Sequence, residues 1–349
     1  MTLRVGLVGF GPAGRILHTP LIRAAGMEIV AVVSSHAATV NELLPAARVC
    51  ADVESMLAVA QPDLVVIASP NQFHVPHALL ALHAGAHVVI DKPLAVSAAE
   101  ARTVTAAAMV AGRLLTCFHN RRWDSDYLTV KRLLNQNAMG EVLRYEARWD
   151  RYTPTVRDRW REQAHVGGGV LNDLGPHLID QALCLFGRPD WLQADVYIER
   201  AGAVADDAFE IRMGKGTLRI VLSASCMALD PAPRFMLHGT AGSFTKRGLD
   251  VQEAQLKASI QPDDPEFGVE PVVQWGRLVN AIGGDASQVP PERGHWQQFY
   301  RQLIDSILTG QPLPVDASDA VTVLEIIEAA RCSSAQGRRL QLHNDGQWR

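Results

Sequence analysis

The sequence lacks what a nucleic-acid or membrane protein needs. Its 349 residues carry 33 lysines and arginines against 37 aspartates and glutamates, a formal net charge of -4. Without a basic excess there is no positive face to neutralise phosphates, so nucleic acid is not an expected partner. No apolar run approaches the roughly 18 residues of a membrane helix, and the run at 64–68 is only strand-length. Cysteine is sparse. Cys50, Cys117, Cys184, Cys226 and Cys332 are odd in number, scattered and free of C-x-x-C spacing. That excludes a disulfide framework and a cysteine zinc site, and fits reduced thiols packed in a cytosolic protein. The first ten residues, MTLRVGLVGF, enter a strand-like pattern with no charged leader or cleavage site. A cytoplasmic protein is the expectation. There is no internal repeat and no low-complexity tract.

What is present is apolar residue in quantity: 48% of the chain is hydrophobic and 20% charged. That is enough for two domains, each with its own core. Through the first 120 residues strand-like runs at 3–8, 29–33, 64–68, 88–90 and 114–118 alternate with helical patterns at 15–25, 53–60, 76–84 and 98–111, and a helical turn opens at 41–44. Alternation of this kind implies a doubly wound parallel sheet with right-handed crossovers. After a helix at 126–134 the pattern changes. Runs at 142–149, 192–199, 208–212, 217–225 and 234–238 follow with turn punctuation and no helical pattern among them, predicting a mainly antiparallel sheet with a helix on one side. Residues 261–294 hold many prolines, glycines and acids and are expected to be irregular connection. Helices at 296–308 and 320–335 close the chain. The boundary is expected near residue 120, giving a dinucleotide domain at 1–120 and a substrate and oligomerisation domain at 121–349, whose last helix could pack back on the first domain.

The first strand runs into Gly9-Phe10-Gly11-Pro12-Ala13-Gly14, a G-x-G-x-x-G at a strand–turn–helix junction. The first glycine permits the tight turn, the second lets a pyrophosphate reach the backbone, and the third lets helix pack on strand. NAD-binding chains place a carboxylate at the end of the second strand to hold the ribose 2′-hydroxyl. Here that strand ends Val33-Ser34-Ser35-His36. Hydroxyls and an imidazole leave room for a 2′-phosphate that a carboxylate would repel, so NADP is favoured over NAD; the alternative is a plain polar turn.

Three further stretches make a family visible: Ser69-Pro70-Asn71-Gln72-Phe73-His74, then Asp91-Lys92-Pro93, then 167–177, which ends Asn172-Asp173-Leu174-Gly175-Pro176-His177. Together with the N-terminal loop they resemble the Gfo/Idh/MocA oxidoreductases, in order and spacing, over the whole length. The stretches at 119–126 and 157–163 resemble a narrower branch that contains bacterial NADP-dependent scyllo-inositol dehydrogenases. The resemblance implies a Rossmann domain followed by an α/β domain with an open, largely antiparallel sheet that often forms a homodimer or homotetramer interface. The family's Glu-Lys-Pro stands here as Asp91-Lys92-Pro93, with the shorter acid. Lys92, Asp173 and His177 match the family's catalytic lysine, aspartate and histidine.

In that reading His177 takes the hydroxyl proton, Lys92 donates to the reacting oxygen, and Asp173 binds a neighbouring hydroxyl or orients His177. The four-residue spacing puts Asp173 and His177 on one helical face. Because Pro176 is costly deep in a helix, the helix is expected to begin near Gly175. Asp180 lies three residues on, as a substrate contact or a salt-bridge partner. Ser69, Pro70, Asn71, His74, Asp91 and Lys92 would line the nicotinamide-ribose side, with Asn120 as a similar candidate. Six arginines between 144 and 161 read either as a loop whose Trp160 and Arg161 reach cofactor or substrate, or as a salt-bridged surface. His74 and His77 have no third partner that would make them a metal pair, and no metal is expected. The function expected is NADP-dependent hydride transfer on a cyclic polyol or sugar, inositol first. The alternatives are reduction of another keto- or anhydro-sugar and a non-catalytic dinucleotide sensor.

Overall fold

A computed structural model describes residues 2–163, 167–280, 284–343 and 345–349, with the side chain of Arg161 outside the described set. The chain forms two compact units, one of Met1–Trp123, Val251–Gly268 and His295–Thr322, the other of Asp124–Asp250, Val269–Gly294 and Val323–Arg349. Among the described residues no helix is long and apolar enough to cross a membrane.

The first unit holds a six-stranded sheet of β1 (Arg4–Val8), β2 (Glu28–Val33), β3 (Arg48–Cys50), β4 (Leu64–Ile67), β5 (His87–Ile90) and β6 (Leu115–Cys117). Its order is β3-β2-β1-β4-β5-β6, and every pair is parallel. The central strands are largely apolar, as strands buried in a parallel sheet are; Val5–Val8 and Leu64–Ile67 are wholly buried. The helix expected at 15–25 has an uneven start. Ala13–His18 forms one wide turn, in which the Thr19 N–H bonds the Gly14 carbonyl, and Thr19–Ala24 continues as α-helix. The Thr19 hydroxyl donates to the same carbonyl at 2.8 Å.

The two late segments complete this unit. Phe299 and Tyr300, on the helix Gln297–Thr309, pack against Phe118 at ring-centroid distances of 5.0 and 5.8 Å. The Tyr300 hydroxyl lies 2.6 Å from Nδ1 of the buried His18. The Thr116 hydroxyl donates to the Val315 carbonyl at 2.7 Å. Gln252 is buried, donating to the Trp123 carbonyl and accepting from the Trp296 N–H.

The second unit holds nine strands: β7 (Val142–Asp150), β8 (Trp191–Tyr197), β9 (Ala208–Lys215), β10 (Leu218–Ser225), β11 (Phe235–Gly239), β12 (Gly242–Lys246), β13 (Gly276–Asn280), β14 (Ala286–Val289) and β15 (Leu340–Gln341). Their order is β14-β13-β12-β11-β7-β10-β9-β8-β15. Pairing is antiparallel except for β7 with β10. The helix Val170–Phe186 packs on β7, β9 and β10.

Three expectations are corrected here. Within 261–294, read as irregular connection, β13 and β14 add an edge to the sheet. They are short and mostly exposed, so neither apolar alternation nor a continuous run marks them. Gly276 lies against the Phe244 ring, where any Cβ would clash. The long helix begins at Val170 rather than near Gly175, with Pro176 inside it. Its start is held from a distance: Asp206 accepts the Leu171 N–H through Oδ2 at 2.7 Å and the Val170 N–H through its carbonyl at 2.8 Å. A cap supplied 35 positions away leaves no local trace. The five cysteines are free thiols, but only Cys50, Cys117 and Cys226 are packed inside; Cys184 and Cys332 are exposed.

Candidate active site

In the first unit the expected cofactor residues follow the carboxyl ends of the parallel strands: Gly9 after β1, Ser34 after β2, Ser69 after β4, Asp91 after β5 and Asn120 just past β6. Ligands of open parallel sheets bind in that crevice. The glycine loop is shaped for it. Gly9 has φ +96°, and a Cβ there would meet the Ala68 carbonyl at 2.6 Å. A Cβ on Gly14 would meet the Gly9 carbonyl at 2.1 Å, whereas at Gly11 nothing lies within 4 Å. Two glycines are thus required for packing, and the middle one leaves open space where a pyrophosphate needs it. Phe10 is buried; Gly11 and Pro12 are exposed and Ala13 partly so. At the end of β2, Ser34 Oγ accepts the His36 N–H at 3.0 Å, and Ser35 and His36 are exposed. No carboxylate occupies this turn, so these residues fit a dinucleotide with or without a 2′-phosphate.

His74 is buried with Nδ1 2.8 Å from the Pro93 carbonyl and Nε2 2.8 Å from the Ser69 carbonyl. It ties the loop after β4 to the loop after β5. Burial lowers its pKa, with Asp91 opposing. His77 instead meets Ser69 Oγ at 3.2 Å and stacks on Phe73. Asn71 is buried beside them and Pro70 exposed. Asp91 Oδ1 accepts the Lys92 N–H at 2.8 Å, and the Lys92 side chain is part-exposed. Asn120 is buried. Among the described residues no three His, Cys, Asp or Glu side chains converge as a metal site would need.

In the second unit, β7 and the long helix build a facing ladder. Tyr145 meets Phe186 at 5.1 Å between ring centroids, and Trp149 stacks on His177 at 5.9 Å and 30°. Beyond them Arg151 Nη2 lies 3.5 Å from Asp173 Oδ2. The period of two along the strand and of four along the helix bring these pairs into register. Asp173 and His177 therefore share one face of one helix, as their spacing implied. The Asp173 side chain is 22% exposed and His177 is 6% exposed. Asp180, one turn on, is buried. Burial alone would lower the Arg151 pKa, but the Asp173 carboxylate and Cys226 hold it above its ordinary value, so it is charged at any working pH. Behind Trp149, the buried Arg234 lies over the indole at 5.3 Å and donates to Gln181 at 2.7 Å.

The arginine-rich stretch divides. Arg144 and Arg148 both donate to the buried Glu146. Arg159 and the buried Arg200 both hold Glu162, at 3.0 and 2.6 Å, and Arg200 also holds Asp207 at 2.8 Å. Those arginines are structural. Trp160 sits part-buried on the short turn Trp160–Glu162, and the Arg161 side chain lies outside the described residues. Sequence reasoning did not single out Trp149 or Arg151, although the alternation of β7 that points 145, 147 and 149 to one side, continued one residue past the strand to 151, was there to find them.

A helix face carrying a carboxylate and an imidazole can take a proton from a hydroxyl and hold its neighbour. The first unit's loops can cradle a dinucleotide. Comparison with known proteins agrees. A model described as the oxidoreductase family NAD-binding Rossmann fold matches residues 3–119, and one for the C-terminal alpha/beta domain of that family matches 131–342. The scyllo-inositol 2-dehydrogenase (NADP(+)) IolW of Bacillus subtilis is 35% identical over 98% of this chain and 97% of its own. The Escherichia coli oxidoreductase YdgJ, itself uncharacterised, is 39% identical over 93% of this chain and 94% of its own. Among solved structures, that of the Bacillus subtilis protein YvaA superposes with a TM-score of 0.95 at 35% identity, covering 98% of this chain and 99% of that one. With both domains of one family matched in order, and with the glycine cradle and the Asp173–His177 face in place, the chain belongs to the Gfo/Idh/MocA family of NAD(P)-dependent oxidoreductases.

Proposed function

We propose that the chain interconverts a secondary alcohol and a ketone on a cyclic polyol or sugar, with NADP as cofactor and an inositol, scyllo-inositol first, as substrate. The observation that carries this is the Asp173–His177 face with Arg151 at its end: a base, a hydroxyl acceptor and a cation in one row, suited to a ring bearing adjacent hydroxyls. The bound nicotinamide supplies the hydride acceptor or donor. His177 takes the hydroxyl proton in oxidation and returns it in reduction. The Trp149 ring holds the imidazole plane so that its nitrogens stay aimed. Lys92 donates a hydrogen bond to the reacting oxygen and stabilises the negative charge that grows there in the transition state. Asp173 accepts from the neighbouring hydroxyl.

The preference for NADP is supported by the Ser34-Ser35-His36 turn, where hydroxyl and imidazole groups stand and no carboxylate repels a phosphate. The relative IolW, named for NADP and scyllo-inositol, points the same way. Ser69, Asn71, His74, Asp91 and Asn120 shape the loops against the nicotinamide ribose, and Trp160 and Arg161 are further contacts to cofactor or substrate. A homodimer or homotetramer built on the open sheet face completes the reading, in a reduced, cytoplasmic setting. The test is absorbance at the reduced-nicotinamide band with NADP or NAD and a panel of scyllo-inositol, myo-inositol, glucose and other polyols. NADP-dependent turnover of an inositol is expected. Turnover with NAD alone overturns the cofactor reading, and silence on every polyol despite NADPH binding overturns the substrate reading.

A further inference from the structure

Beneath the Asp91–Lys92–Pro93 loop lies a chain of polar groups in which His18 and Tyr300 have no part in the roles above. His18 is wholly buried, 0% exposed, on the wide turn that follows the glycine loop. Its Nδ1 is 2.6 Å from the hydroxyl of Tyr300, which is equally buried. Its Nε2 has no hydrogen-bond partner closer than Asp91, whose Oδ1 is 4.0 Å away. That same Oδ1 accepts the Lys92 N–H at 2.8 Å. From Tyr300 to the backbone of Lys92, then, a phenol, an imidazole and a carboxylate stand in series.

The chemistry of these groups fixes the direction of the chain. Burial lowers the His18 pKa, with Asp91 opposing and His74 adding to the decrease, and burial raises that of Tyr300 well above its ordinary value. Both are therefore neutral at working pH, and a neutral imidazole carries one proton. Were it on Nδ1, the Nε2 lone pair of the fully buried ring would face the Asp91 carboxylate. With the proton on Nε2, the tyrosine hydroxyl donates to Nδ1 and the Nε2–H points at Asp91. The second arrangement satisfies the phenol and Nδ1 and turns the remaining N–H toward the carboxylate, short of a hydrogen bond.

We propose that Tyr300 and His18 are positioning residues for Lys92, acting through the Asp91 carboxylate. Tyr300 sets the His18 tautomer; His18 presents one N–H to Asp91; Asp91 holds the amide of Lys92 and so the point from which its side chain starts. His74 grips the other side of the same loop through the Pro93 carbonyl. The groups that face His18 are Tyr300, Asp91 and His74, with the Phe118 ring 4.3 Å away. The 4.0 Å step is one atom too long for a hydrogen bond. One further methylene adds about 1.5 Å of reach. The shorter acid at 91 therefore leaves the chain slack at that link, and Asp91→Glu closes it.

The inference rests on the reading of Lys92 as the donor to the reacting oxygen only for its kinetic arm, so the closing experiment has a second arm that needs no substrate. The chain contains five lysines, Lys92, Lys131, Lys215, Lys246 and Lys257. Reductive methylation with 13C-formaldehyde gives the accessible lysines and the α-amino group dimethylamine signals, with the buried Lys246 left unmodified, and Lys92→Arg assigns the one of interest. Tyr300→Phe keeps the ring and removes only the hydroxyl. It is expected to shift or broaden the Lys92 signal while leaving the other signals unchanged. In turnover it is expected to lower kcat about tenfold with NADPH affinity and substrate KM within about twofold, the size of one lost buried hydrogen bond. His18→Gln, which keeps an N–H toward Asp91, is expected to retain more activity than His18→Leu, and Asp91→Glu to sharpen the Lys92 signal. A Tyr300→Phe protein whose Lys92 signal and kcat match the wild type, whatever its melting temperature, overturns the proposal. A wild type silent on every polyol, with the Lys92 signal moved by Tyr300→Phe, overturns the substrate reading and leaves the positioning chain standing.

Discussion

Arg151, the residue after β7, and Asp173 on the long helix meet at 3.5 Å, one turn beyond the contact of Trp149 with His177. The strand thus delivers a cation to the carboxylate and a flat ring to the imidazole from positions two apart. Arg151→Met is expected to lower kcat/KM for the polyol by about 10- to 100-fold, the range for losing a charged hydrogen-bond partner, with NADPH binding unchanged. Steady-state kinetics beside fluorescence titration of NADPH separate the two effects. Unaltered kcat/KM would remove Arg151 from the site.

Lys92→Ala is expected to bind NADPH as the wild type does and to lose at least about 100-fold in turnover, because a donor to developing oxyanion charge acts in the transition state. Retained turnover would leave Lys92 as a loop residue only.

Ser34→Asp places a carboxylate in the turn proposed to receive the 2′-phosphate, and is expected to move the ratio of kcat/KM values from NADP toward NAD. Measuring both cofactors on the same preparation checks it; an unmoved ratio would put the discrimination outside this turn.

Asp206 caps the long helix through Leu171 and also pairs with Arg331 at 2.9 Å. Asp206→Ala is expected to cost about 1–2 kcal/mol of stability, read as a lower urea midpoint. The cost falls on the very turn that carries Asp173, so activity in dilute urea should be lost earlier as well.

Arg121 and Lys257 hold the Glu253 carboxyl at about 2, against the opposing effect of burial. A carboxylate with a depressed pKa stabilises the fold above its unfolded value and loses that contribution as pH falls toward the folded one. Glu253→Gln is therefore expected to be less stable than wild type near neutrality, with the gap shrinking between about pH 5 and pH 2. Glu253 is about one-third exposed, so the gap is that of a partly screened pair. A difference constant with pH would contradict the assignment.

Sequence alone reveals much of this molecule where physics is local. The central parallel strands, buried on both faces, read as plain apolar runs, and the glycine loop follows the first of them. The spacing of Asp173 and His177 already puts both on one helix face. What it hides is non-local or too short to carry a pattern. Strand β3 has three residues. β13 and β14 are half-wet edges without alternation. The helix start at Val170 depends on Asp206, and Arg151 becomes interesting only once β7 lies on the helix. His18 and Tyr300, 282 positions apart, share no signal of any kind before folding brings them into contact.

That separation bears on synthesis. A ribosome making this chain completes all six strands of the first sheet long before it reaches Gln297–Thr309. Until then Phe118 lacks two aromatic neighbours and His18 its phenol partner. The nascent nucleotide-binding half must wait, with apolar surface uncovered, until residues 297–309 are made. A gene fragment ending after Trp123 would encode every glycine of the loop, yet leave a raw seam where that helix belongs. A closed core beneath the glycine loop therefore depends on residues 297–309 as well as on the opening third.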